Sequence, residues 1–125
     1  MLDLKKYDKN NIFARILRKE INSKIVYENN YVLAFEDIHP VAPFHVLVIP
    51  KGEYTCYNDF INNASQEEQI AFFKAVAEIS EQNDLLDGYR IVSNIGSNAR
   101  QMVPHFHFHI VGKKILPHKS MEGEV

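Results

Sequence analysis

The spacing of apolar residues changes period several times along the chain, and each change marks an element. Ile12, Phe13, Ile16 and Leu17 recur at helical spacing behind Asn10-Asn11, which suits a helix N-cap. A short helix ending near Lys19 is predicted. The pattern then turns β-rich. Lys24 to Glu28 and Tyr31 to Glu36 flank Asn29-Asn30, a pair that tolerates left-handed turn geometry, and together they read as a hairpin. Asp37-Ile38-His39-Pro40 breaks the run. Phe44 to Ile49 follows as a third strand, closed by Pro50 and Gly52.

The second half opens with a long helix. Ser65 and Glu68 form the S-x-x-E capping box, and Ile70, Phe73, Ala77 and Leu85 mark an apolar stripe reaching past Asn83, with Asp87-Gly88 as the stop. Tyr89 to Ser93 reads as a fourth strand and Asn94 to Gln101 as a polar, Gly-containing loop. His105 to Val111 alternates strictly and reads as a fifth strand. The order α-β-β-β-α-β-β implies an α+β domain with a mainly antiparallel five-stranded sheet, one short helix and one long helix. Linkers, low-complexity tracts and repeats are absent, so residues 1–125 are read as one domain.

Composition narrows the function. The 125 residues are 46 % hydrophobic and 24 % charged, which is ordinary for a globular domain. A formal charge of −2 offers no basic field for nucleic acid or an anionic membrane. Apolar runs such as Val46 to Ile49 are too short to span a bilayer, and no apolar core follows the lysines of the first eleven residues. The single cysteine, Cys56, permits no internal disulfide and reads as a surface or half-buried thiol in a polar loop. These features suit a cytoplasmic protein.

The chemistry concentrates in His105-Phe106-His107-Phe108-His109-Ile110-Val111. Alternation on a strand places His105, His107 and His109 on one face and Phe106, Phe108 and Ile110 on the core face. Three of six histidines thus share one face. The plainest reading is a strand whose outward face happens to be polar. A second is zinc: side chains two apart lie about 6.5–7 Å apart and can share an ion, whereas the outer pair, about 13 Å apart, cannot join them on a straight strand. The third ligand would then be His45 or His39. A third reading is nucleophilic catalysis. A neutral imidazole attacks phosphorus through one nitrogen while the other donates to an acceptor that fixes the tautomer. Flanking histidines donate to the phosphate oxygens. His107, in the middle, has that arrangement.

The segment resembles the hallmark His-φ-His-φ-His-φ-φ of the histidine triad family, and the likeness extends in order from about residue 11 to 113. Asn11-Ile12-Phe13-x-x-Ile16, Lys19-Glu20-Ile21, Leu33-Ala34-Phe35-x-Asp37-Ile38-x-Pro40, Ala42-Pro43-x-His45 and Val48-Ile49-Pro50-Lys51 look like the family's first half. Gly88-Tyr89-Arg90 and Gln101-x-Val103 look like its second half. The pattern is nearest the Hint branch of nucleoside phosphoramidases.

The resemblance implies His107 as nucleophile, His109 as phosphate contact, His105 as support and His45 behind the triad. It implies Asp37 on the ribose hydroxyls and an apolar base pocket of Ile12, Phe13, Ile16, Phe35 and Ile38. For Ile16 plain core packing is an equal alternative. Asn94 falls on the family's phosphate-contacting Asn, and Gln101 and Met102 fall on nucleotide-binding positions. Met102 stands where a Ser or Thr is common, and Arg100 where Gly is frequent. The implied activity is hydrolysis at the α-phosphorus of nucleoside phosphoramidates through a nucleotidyl-histidine, without metal or cofactor, on an AMP-type purine nucleotide. Alternatives are a dinucleoside polyphosphate hydrolase of the Fhit type and a nucleotide-binding adaptor with incidental activity. The family also implies a homodimer with a continuous sheet.

Overall fold

The computed structural model describes residues 2–118; the extreme ends of the expected domain, residue 1 and residues 119–125, lie outside it. The elements are α1 (Ile12–Leu17), β1 (Ile25–Glu28), β2 (Val32–Glu36), β3 (Phe44–Pro50), α2 (Tyr57–Asn63), α3 (Gln66–Gln82), β4 (Tyr89–Val92) and β5 (Phe108–Gly112). The five strands form one antiparallel sheet in the order β1-β2-β3-β5-β4. The α+β architecture is therefore the expected one.

β3 lies at the centre and is buried along its whole length, so its two side-chain faces feed two cores. Phe44, Val46 and Val48 join Val32, Ala34, Phe106 and Ile110 beneath Phe60, Phe72 and Ile79 of α2 and α3. Leu47 and Ile49 join Leu33 and Phe35 beneath Phe13 and Ile16 of α1. Asn11 caps α1 by accepting from the Ala14 N–H at 2.9 Å. The Ser65–Glu68 capping box of α3 is formed in both directions.

Several expectations are corrected. On α3 the buried residues are Phe72, Ala75, Val76, Ile79 and Ser80, while Ile70, Phe73 and Ala77 are exposed. The helix carries two apolar stripes, and their period does not say which one meets the sheet. It also stops earlier, at Gln82 with Asn83 as its cap, because Asp84 takes a left-handed φ of 58° and the chain turns there. Leu85 is buried beyond that turn. The hairpin does not use left-handed asparagines. Asn29 instead accepts from the N–H groups of Tyr31 and Val32 at 2.8 and 3.0 Å, an Asx turn. Cys56 is buried as the N-cap of α2, a helix with no apolar period to announce it. Asp59 steadies its start by accepting from the Thr55 N–H at 2.8 Å.

Candidate active site

The fifth strand is shorter than its pattern. Regular pairing begins at Phe108, and His105 to His107 run as irregular backbone ahead of it. Alternation survives, because both sides of this segment are anchored. The Phe106 N–H donates to the Tyr54 carbonyl at 2.7 Å and Ser93 Oγ donates to the His107 carbonyl at 2.9 Å. Phe106, Phe108 and Ile110 enter the helix-side core, and the three histidines take the opposite face. That face is not a solvent face. His105 is 0 % and His107 7 % exposed, covered by α1. The Phe13 ring meets His107 edge-on at 5.0 Å between centroids and His105 at 6.3 Å.

Hydrogen-bond partners assign the protons. His105 Nε2 lies 2.9 Å from the Pro50 carbonyl, which only accepts, so this nitrogen donates. Its Nδ1 then accepts from the Tyr7 hydroxyl at 2.6 Å. His107 Nδ1 donates to the His105 carbonyl at 2.7 Å, which leaves the lone pair on Nε2. A second chain starts at the Val41 N–H, which donates to His45 Nδ1 at 3.1 Å. His45 Nε2 therefore carries its proton and donates to His109 Nδ1 at 2.9 Å, with Asp37 Oδ2 at 3.4 Å. A neutral His109 is left with a donor on Nε2.

Burial is the first cause of low basicity in all four rings. It holds His105 and His109 at about 4, with the neighbouring His107 adding to the depression of each. Burial also holds His107 and His45 below the usual imidazole value, although Asp37 opposes it at both. The site is thus a row of neutral imidazoles at neutral pH.

His107 and His109 form part of the wall of a cavity of about 400 Å³. Ile12, Phe13 and Ile16 of α1 line it, as do Phe35, Asp37 and Ile38 from the end of β2. Asn94, Gln101 and Met102 come from the connection between β4 and β5. Every expected binding residue is therefore at the cavity, and Ile16 serves both the core and the wall. His105 and His45 stand behind the wall, each holding a residue that lines it.

Details differ from the expectation. Gln101 is buried with its amide committed to the loop: Oε1 accepts from the Gly96 N–H at 2.9 Å, and Nε2 donates to the carbonyls of Thr55 and Val103 at 2.7 and 3.0 Å. Asp37 Oδ1 accepts from the His39 N–H at 2.8 Å and holds the turn after β2. Arg100 has φ 60°, the left-handed region in which glycine is at ease, which accounts for the glycine usual at that position in the resembling family. Arg100 is also the one Lys or Arg among the described residues lining the cavity. No side-chain pattern marks Val41, Pro50 or the His105 carbonyl, because their contributions are made by backbone. Tyr7 lay in a segment without a motif.

Asp37, His45 and His109 bring three ligand-type atoms within 4.8 Å of one another. The Val41 N–H keeps the proton on His45 Nε2, the nitrogen a cation would need, so the cluster is built as a hydrogen-bond chain. The zinc arrangement considered from spacing is not assembled among the described residues either: no group of three ligand-type side chains there brings two triad histidines together with His45 or His39.

Comparison with known proteins establishes the family. Residues 18–116 match the model of the HIT domain. The chain belongs to the HIT family. It is 47 % identical over 111 residues to an uncharacterised HIT-like protein of Rickettsia prowazekii, covering 88 % of this chain and 92 % of that one. It is 38 % identical over 116 residues to the purine nucleoside phosphoramidase of Escherichia coli K12, covering 88 % and 96 %. A HIT family hydrolase from Legionella pneumophila superposes with a TM-score of 0.81 at 33 % identity, covering 88 % of this chain and 98 % of that one. These similarities support a hydrolase of the HIT family. No helix among the described residues is long and apolar enough to cross a membrane.

Proposed function

We propose that the chain hydrolyses purine nucleoside phosphoramidates at the α-phosphorus through a nucleotidyl-histidine on His107. The observation that carries this is the tautomer of His107. Its Nδ1 proton is held by the His105 carbonyl at 2.7 Å, so the Nε2 lone pair is available in a ring that lines the cavity. Attack forms the Nε2–phosphorus bond and breaks the bond from phosphorus to the leaving nitrogen, which departs as an amine after taking a proton from water. In the adduct the Nδ1–H still donates to the His105 carbonyl, which stabilises the positive charge of the ring. The hydroxide left by that water then attacks phosphorus, breaks the nitrogen–phosphorus bond and releases the nucleoside monophosphate, leaving His107 neutral with its Nδ1 proton in place. The Nε2–H of His109 donates to the phosphate oxygens throughout, and two displacements replace one difficult step.

Asp37 would accept from the ribose hydroxyls and the apolar wall would hold the base. Arg100 favours a second reading, hydrolysis of dinucleoside polyphosphates, because a phosphate leaving group would meet its charge. Turnover of an adenosine phosphoramidate against a diadenosine polyphosphate decides between them. A clear preference for the phosphoramidate is expected, and the reverse preference would favour the second reading. Tight AMP binding with poor turnover of both would indicate an adaptor. Assembly as a homodimer belongs to the same proposal. Ile70 and Phe73 on α3 and Ile91 on the edge strand β4 are 55, 43 and 45 % exposed, more apolar surface than a lone domain needs.

A further inference from the structure

The residues ahead of α1 hold one end of the histidine row, although they precede the region matched by the family model, 18–116. Thr55 Oγ1 donates to the Leu4 carbonyl at 2.8 Å and ties this segment to the loop after β3. Three residues on, the Tyr7 hydroxyl reaches His105 Nδ1 at 2.6 Å, with the two rings edge-on and 5.5 Å between centroids.

We propose that Tyr7 is a positioning residue of the active site: its hydroxyl fixes the orientation of His105 and, through the His105 carbonyl, the tautomer of His107. The inference rests on reading His107 as the nucleophile. The Pro50 carbonyl accepts from His105 Nε2 at 2.9 Å, so Nδ1 holds a lone pair at a ring that is 0 % exposed. Tyr7 supplies the donor which that buried lone pair needs. With both nitrogens tied, the ring cannot turn. The backbone of the same residue then presents its carbonyl to His107 Nδ1 at 2.7 Å. Burial raises the Tyr7 phenol above its ordinary value, so it remains a donor across the neutral range. A tyrosine present only for packing would need its ring and not its hydroxyl.

The test uses the full chain with Tyr7→Phe and Tyr7→Leu. Long-range proton–nitrogen NMR reads the tautomers of His105 and His107 without substrate, while kcat, KM and thermal unfolding are measured alongside. Wild type is expected to show pure Nε2–H for His105 and pure Nδ1–H for His107. In Tyr7→Phe, both should become mixed, with kcat lowered about tenfold and KM for an adenosine phosphoramidate changed less than about twofold, the size expected when one buried acceptor loses its donor. Tyr7→Leu should lose as much kcat and also melt earlier. Unchanged tautomers in folded Tyr7→Phe overturn the proposal whatever the rate. Should wild type turn over no nucleotide, the proposed function fails, and the tautomers still decide the role of Tyr7.

Discussion

At the scale of the residue, the three triad histidines do different work because their nitrogens meet different partners. Alternation along His105 to His109 was legible in the sequence, since a period of two needs no context. The depth of the site was not. Alternation alone makes His105 an outward polar residue, yet Tyr7 and Pro50, far away in sequence, enclose it. His105→Ala is therefore expected to cost stability as well as rate, roughly 1–3 kcal/mol for the stranded Pro50 carbonyl before any cavity is counted. Denaturant melts will show it, and an unchanged melt would return His105 to a surface role. The buried imidazoles also set a pH dependence. Unfolded histidines take protons as pH falls through about 6.5, whereas folded His105 and His109 do so only near about 4. The unfolded state thus binds more protons in that window. Stability should be flat above about pH 6.5 and fall as pH drops toward about 4. The acid limb of kcat/KM, which reports the free enzyme, should likewise lie below 6.5, because His107 is held below its usual value. Asp37→Ala should weaken ribonucleotide substrates by roughly 1.5–3 kcal/mol, with less effect on a simple phosphoramidate. Equal losses on both would leave Asp37 only its part in the turn and beside His45.

At the scale of the element, local chemistry placed boundaries well where a side chain makes them. Asn11 and the Ser65–Glu68 box begin their helices as the sequence implied. It placed them poorly where tertiary contact decides. The α3 sequence carries adjacent phenylalanines, and only docking on the sheet selects Phe72, at 0 % exposure, over Phe73, at 43 %. Phe72 packs on Phe60, Phe106 and Phe108, so its loss also loosens the strand that carries the triad. Phe72→Ala should destabilise by roughly 3–5 kcal/mol. Phe73→Ala should cost much less in a concentration-independent measurement. Equal costs would mean that the assigned face of α3 is wrong. The missing α2 has the same lesson: its one buried residue, Phe60, cannot make a period.

At the scale of the whole molecule, one sheet separates two tasks. Its α3 face carries the larger core, and its α1 face carries the cavity with His107 and His109 at its wall. Order along the chain made the sheet readable. The β3–β5 pairing that sets Leu47 opposite His109 was not readable, because it joins distant segments. Exposed Ile70, Phe73 and Ile91 lead to the expectation of a symmetric dimer, seen by sedimentation as twice the chain mass at about micromolar concentration. A monomer there would remove it, and Phe73→Asp should dissociate the dimer. Under the proposed function His107 becomes covalently nucleotidylated in every turnover. The most direct test is rapid quenching of a reaction with adenosine phosphoramidate labelled at the α-phosphorus, followed by peptide mapping. Transient label is expected on His107, absent from a folded His107→Ala that has lost turnover but still binds AMP. Turnover with no protein-bound label, or label that persists in His107→Ala, would contradict it.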